Sequence, residues 1–367
     1  MASRIRFSAE AALREMAETG RKLADGVRLL GEIKDEDVRI ATTPKDEVMR
    51  RDKTVLYRYR PVAKPSIKLP VLVAYGLIGR YTMADLQDDR SLIRNLLAQG
   101  VDVYAVDWGN PSRSDRWLTL EDYVDGYLGD CVDHIRAAHG VDAVNLLGIC
   151  EGGVFTLCYA ALHPRRVRNL AVTSTPGDFH ADMDSDRIEH GFINLWTRSL
   201  APADIDKIVD AFGYVPGKFM GMVFSMMTPV KSLTKYNLDM LDVFESRDRL
   251  MNFLRMEKWL ADRPHHPGEA AKQWFKELYQ ENRLVKGEFT LGGRRVDLAQ
   301  VTMPVLNVYA LEDHIIPPGC SKALGGVVGS KDYTEIPLPG GHVGVFVSGK
   351  SQGIVAKGIV GWLRDRP

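Results

Sequence analysis

No run of this chain is apolar enough to cross a bilayer. The longest uncharged apolar stretch, Leu69 to Gly79, is about half the ~20 residues a spanning helix needs. Arg4 and Arg6 lead into no continuous apolar segment, so no secretory leader is expected. An excess of one charge is also missing: Lys plus Arg and Asp plus Glu both number 48, which gives no reason to expect nucleic acid or another polyanion as a partner. Cysteine is scarce. The four, Cys131, Cys150, Cys158 and Cys320, form no C-x-x-C pair and no metal-binding spacing, which argues against a disulfide framework or zinc site and for reduced thiols in a cytoplasmic protein. Internal repeats and low-complexity tracts are lacking too. What remains is an ordinary globular composition, 45% hydrophobic and 26% charged over 367 residues. That length suits two domains, or one α/β domain carrying a large insertion.

The chain is organised around Ala143 to Leu162. Val144 to Ile149 is a short apolar run of the kind that forms a buried strand. The sequence then turns through Gly148-Ile-Cys150-Glu-Gly152 and continues as a helix with Val154, Leu157, Cys158 and Ala161 on one face. Strand, tight turn and helix with one nucleophile at the apex is the G-x-S-x-G elbow of α/β-hydrolases, with Cys in place of Ser. The glycines relieve collisions beside a strained nucleophile. The N-terminus of the following helix favours a thiolate at Cys150.

The rest of the chain supplies the partners such an elbow needs. Residues 8 to 31 read as an amphipathic helix, with Leu13, Met16, Gly20, Leu23, Val27 and Leu30 in one stripe, suited to packing on the main domain or to docking a partner. Thr54 to Arg60 reads as an edge strand and Leu69 to Tyr75 as a buried one. The loop Gly76-Leu-Ile-Gly79 after that strand is where a hydrolase places one oxyanion-hole N–H, here Leu77 or Ile78, with Glu151 giving the other. Alternating strands and helices continue through Val167 to Thr173 and predict a parallel, doubly wound sheet. From 176 to 301 the pattern becomes helical and rich in Met, Trp and Phe, Phe219 to Met227 above all, as expected of a cap inserted between sheet strands. The sheet resumes at Met303, and Asp313 and then His342 follow its last two strands, in the order nucleophile, acid, histidine. The expected division is an N-terminal helical segment 1–40, core 41–175, cap 176–301 and core 302–367.

A Cys nucleophile beside His suits acyl transfer between thioesters, because thiolate attack on a thioester is close to isoenergetic. The motifs Tyr81-Thr-Met-Ala-Asp-Leu-Gln87, Asp107-Trp-Gly109, Asp115-Arg-Trp-Leu-Thr-Leu-Glu-Asp-Tyr123, Gly148 to Gly153, Asp313-His-Ile-Ile-Pro317 and Gly341-His342-Val-Gly344 together resemble the catalytic subunit of class III polyhydroxyalkanoate synthases, over roughly residues 40 to 365. The resemblance implies that Cys150 carries the growing polyester and that His342 deprotonates it. It implies that Asp313 assists His342 or the attacking 3-hydroxyl, and that His314 tunes the acid. It implies (R)-3-hydroxyacyl-CoA substrates, mainly short-chain, with CoA released and no metal or redox cofactor. It further implies a companion non-catalytic subunit, a homodimer, and work at the surface of cytoplasmic polyester granules. Two positions depart from the family pattern: Glu151 where Gln is expected, and Gly79 where Asn is usual. The competing expectations are a Cys-dependent thioesterase or polyester depolymerase, and a granule-binding protein using the fold as a scaffold.

Overall fold

Eight strands form the central sheet of the computed structural model, which describes residues 8–181, 191–226, 239–349 and 351–367. They are β1 (Lys45–Arg51), β2 (Thr54–Tyr59), β3 (Val71–Ala74), β4 (Val103–Asp107), β5 (Val144–Ile149), β6 (Val167–Thr173), β7 (Val305–Ala310) and β8 (Tyr333–Leu338), in the spatial order β1-β2-β4-β3-β5-β6-β7-β8. β1 and β2 pair antiparallel, β2 runs antiparallel to β4, and every other pairing is parallel. Burial explains the composition of the central strands. All residues of β3, β5 and β7 are buried, so they read as continuous apolar runs, not alternations. β2 lies second from the edge, not at it. The edge is β1, Lys-Asp-Glu-Val-Met-Arg-Arg, whose charges hide it from a search for alternating apolar residues and also protect it from pairing with another chain.

The register aligns the functional loops. Ala74 pairs with Gly148, Ile149 with Thr173, Thr173 with Val308, and Ala310 with Leu338. The segments after β3, β5, β6, β7 and β8 therefore emerge along one edge of the sheet. Strand order reverses beside β3, with β4 on one side and β5 on the other, and the crevice at such a reversal is where open α/β sheets hold ligands.

The chain folds in two units, and the larger comprises Ala41–Met220 and Asp262–Pro367. Helices α1 (Ala9–Glu32), α2 (Leu92–Ala98), α3 (Leu128–His139), α4 (Glu151–Leu162), α5 (Phe192–Ser199), α6 (Pro202–Phe212), α7 (Gly217–Met226), α8 (Arg247–Ala261) and α9 (Ser351–Arg364) account for most of the helical structure among the described residues. In the larger unit α4 is not amphipathic: Glu151 through Ala161 are all buried. It is packed on β5 on one side and on the segments Asp122–Tyr127 and Leu298–Gln300 on others, which leaves it no solvent face. A π-helical turn, Asp122–Tyr127, leads directly into α3. Residues 176–301 divide between the units. In the larger one, a short pairing of Tyr214–Val215 with His266–Pro267 ties α6 to a helical run ending in the π-helical Gln273–Gln280.

The smaller unit comprises Met1–Ile40 and Gly221–Ala261. Gly26 of α1 lies against Phe244, so that a side chain there would overlap the ring. It is a packing requirement as well as a weak helix former. Lys258 on α8 donates to the Val38 carbonyl at 2.7 Å. The apolar stripe of α1 is exposed at Leu13, Met16, Leu23, Val27 and Leu30. Met227, the last residue of the most apolar expected cap segment, lies outside the described residues, as do Arg4 and Arg6.

Candidate active site

Cys150 ends β5 and begins α4 with φ 55° and ψ −122°, in a region few side-chain-bearing residues occupy. The surrounding structure holds it there. Its N–H donates to Thr173 O at 2.9 Å, and its carbonyl accepts from Gly153 N at 3.0 Å. Three glycines make room. A Cβ at Gly148 would overlap the Thr156 hydroxyl, at Gly152 the Ala74 carbonyl, and at Gly153 the Thr175 side chain. The sharp backbone turn thus presents the sulfur at the crevice while Glu151 starts the helix behind it.

The loops after β7 and β8 bring up the other two expected residues. Asp313 and His342 are both buried, and His342 Nδ1 lies 2.7 Å from Asp313 Oδ2. The other carboxylate oxygen, Oδ1, accepts from Ile315 N and Ile316 N, each at 2.9 Å, which locks the carboxylate plane. The second ring nitrogen of His342 is not taken by Asp313, and the Cys150 sulfur lies near enough to act on the imidazole's charge. Burial opposes charge on this imidazole, but the Asp313 carboxylate and the Cys150 sulfur outweigh it and hold the His342 pKa well above its ordinary value. The arrangement sets an imidazole, oriented by a buried acid, beside the Cys150 sulfur.

Glu151 occupies a different place. Its carboxylate is buried and turns back onto the loop after β3, where Oε2 accepts from Leu77 N at 2.6 Å and Ile78 N at 3.0 Å. Gly76 makes this approach possible, because a Cβ there would fall 2.6 Å from Glu151 Oε2. Both candidates for the loop's oxyanion N–H, Leu77 and Ile78, are therefore bonded to a side chain of the elbow. His314 is exposed. Its carbonyl accepts from Phe192 N at 3.3 Å, and its side chain does not join the buried cluster.

Several residues of the site carry no motif. His266 Nε2 is 2.8 Å from Glu151 Oε1, and both side chains are 1% exposed. Tyr75 and Tyr279 are buried near Cys150 and Glu151. Burial raises both hydroxyl pKa values, and the neighbouring Cys150 adds to the rise. Trp108 donates from its indole N–H to Tyr75 O at 2.7 Å and packs edge-on against Phe155 of α4, bracing the loop against the elbow's helix. Asp107 and Asp115 also serve the scaffold: Asp107 accepts from Gly109 N at 2.9 Å, and Asp115 accepts from Ser112 N and Lys53, both at 2.6 Å.

The comparisons agree with this geometry. The family described as having the alpha/beta hydrolase fold matches residues 70–348. The poly(3-hydroxyalkanoate) polymerase subunit PhaC of Allochromatium vinosum is 45% identical over 354 residues, covering 96% of both chains. The protein of the same name from Synechocystis sp. is 43% identical over 355 residues, covering 96% of this chain and 93% of its own. A solved protein of Mycobacterium tuberculosis shares the fold alone, at 12% identity and a TM-score of 0.50 over 85% of this chain and 95% of that one. No helix among the described residues is long and apolar enough to cross a membrane. A sharp strand-to-helix turn at Cys150, a paired acid and histidine on the loops after β7 and β8, and near-full-length similarity to named polymerase subunits together place the chain in the poly(3-hydroxyalkanoate) polymerase family, built on the α/β-hydrolase fold.

Proposed function

We propose that the chain polymerises (R)-3-hydroxyacyl-CoA thioesters, short-chain ones foremost, into polyhydroxyalkanoate with release of CoA, through an acyl thioester on Cys150. The observation that carries this reading is the line from Cys150 through His342 to Asp313, in a chain whose relatives are named polymerase subunits. In the first half-reaction the Cys150 thiolate attacks the substrate's thioester carbon. A new C–S bond forms, the C–S bond to CoA breaks, and the departing sulfur takes a proton from His342. In the second, the 3-hydroxyl of another hydroxyacyl group attacks acyl-Cys150, gives its proton to His342 and returns the thiolate. Asp313 keeps the imidazole in one orientation and balances its charge. Both steps conserve atoms and charge without a metal or redox cofactor. The relatives are named as subunits, and this supports a companion non-catalytic subunit. Work as a homodimer at the granule surface belongs to the same reading.

The test is turnover of 3-hydroxybutyryl-CoA with both products followed. Polymer and CoA in step, with no CoA from Cys150→Ala, are expected. Free 3-hydroxybutyrate in place of polymer would make the chain a thioesterase, and CoA release by Cys150→Ala would remove the nucleophile assignment.

A further inference from the structure

The Leu77 and Ile78 amides belong to the loop after β3, which in this fold gives an N–H to the carbonyl oxygen that gains charge as the nucleophile adds. Each N–H makes one strong hydrogen bond, and both are committed to Glu151 Oε2 at 2.6 and 3.0 Å. A carboxylate is among the strongest acceptors available to an amide, and this one is shielded from water, being 1% exposed. It is also held from behind by His266 at 2.8 Å, itself buried and fixed by the pairing of His266–Pro267 with Tyr214–Val215. Gly76 leaves the space the carboxylate fills. These observations converge on one carboxylate that takes up the amides the fold offers to an oxyanion.

We propose that Glu151 is a resident competitor for the oxyanion site: its carboxylate, anchored by His266, closes the Leu77 and Ile78 amides to substrate, and acylation proceeds at full rate only when it moves aside. Glu151 therefore acts as a positioning residue that sets how much of the hole is available. This inference rests on Cys150 being the nucleophile. It gives the Glu-for-Gln departure at the elbow a consequence, since an amide side chain in the same place is a weaker, uncharged acceptor that a developing oxyanion displaces more readily.

The experiment is single-turnover release of CoA from 3-hydroxybutyryl-CoA by the whole chain and by Glu151→Gln and Glu151→Ala. Rates are normalised to the Cys150 thiol titre, and the acyl group is located by mass spectrometry. One oxyanion donor is worth about 10²–10³ in rate, so partial release of two donors should speed acylation on the order of tenfold in Glu151→Gln and at least as much in Glu151→Ala. The substrate concentration for half-maximal rate should change less than about twofold, because the oxyanion exists only in the transition state. A general loosening of the site would move that concentration as well. Glu151→Gln keeps the native shape, with its amide oxygen able to accept from Leu77 and Ile78 and its NH₂ facing His266, so it reports even if Glu151→Ala fails to fold. Acylation that is unchanged or slower in Glu151→Gln, with Cys150 acylated, overturns the inference and leaves the nucleophile assignment standing. Absence of acyl-Cys150 from every variant overturns both.

Discussion

Asp313→Asn separates the two services that the acid performs. Oδ1 is pinned by the amides of Ile315 and Ile316 at 2.9 Å each. In the variant the amide oxygen must stay there, because an NH₂ group cannot accept from those donors. The new NH₂ then takes the place of Oδ2, 2.7 Å from His342 Nδ1, and donates to it. That bond forces the neutral imidazole into the tautomer whose other nitrogen carries hydrogen and cannot accept a proton from Cys150. In a serine triad the same change costs about 10⁴ in turnover. Loss of the adjacent charge also lowers the His342 pKa, by about 1–3 units for an opposite charge at this distance. A thiol ionises more easily than a hydroxyl, so the expected loss in acylation at pH 7 is about 10²–10⁴. The sign with pH follows. In the wild type the raised His342 pKa keeps the imidazole charged above its usual range, so acylation should change little from pH 6.5 to 8. In the variant the imidazole cannot take the thiol proton, so the rate should climb with pH across the same range as solvent takes it instead. Single-turnover CoA release across this range reads both effects. Wild-type acylation by Asp313→Asn at pH 7, or a flat profile in the variant, would refute the orienting role.

Two further outcomes can be checked with simple reagents. Iodoacetamide at pH 7.5 should modify Cys150 first and abolish activity in proportion, while Cys158, whose thiol is pushed to about 12 by burial, and Cys131, raised further by the same cause, stay unlabelled until the chain unfolds; peptide mapping that finds either labelled first would contradict the site. Gly152→Ala drives a methyl group into the Ala74 carbonyl and to 2.6 Å from Tyr75 O, so thermal unfolding should show a loss of about 1–3 kcal/mol or more together with impaired acylation, whereas an unchanged melting temperature would mean that the elbow and β3 are not packed this closely.

Much of the sheet was legible because buried parallel strands declare themselves as apolar runs: Val144 to Ile149 and Val167 to Thr173 have the bounds their composition suggests. Cys150, Asp313 and His342 could be placed because strand ends position them, and strands are read from local pattern. β1 could not be read, since an edge strand needs no apolar face and its charges are what an edge requires. The all-round burial of α4 was hidden for a related reason: Gly, Thr and Tyr on its second face reveal nothing until the neighbouring segments are in place. His266 and Tyr279 reach the site from the long insertion, with no local pattern to mark them. Glu151 was visible as a departure from the family, but its destination depends on Gly76, 75 residues earlier, lacking a side chain.

The burial of α4 on every side shapes how this chain can vary. A surface helix tolerates exchange at half its positions; here each residue from Glu151 to Ala161 abuts another element. An exhaustive substitution library would therefore find a continuous intolerant block beginning at the nucleophile, most of it selected for fit and not for reactivity. Intolerance alone would not distinguish Cys150 from Thr156 or Leu157. Sorting the block by retained folding against lost acylation would, because only changes at Cys150 and its immediate electrostatic neighbours should separate the two.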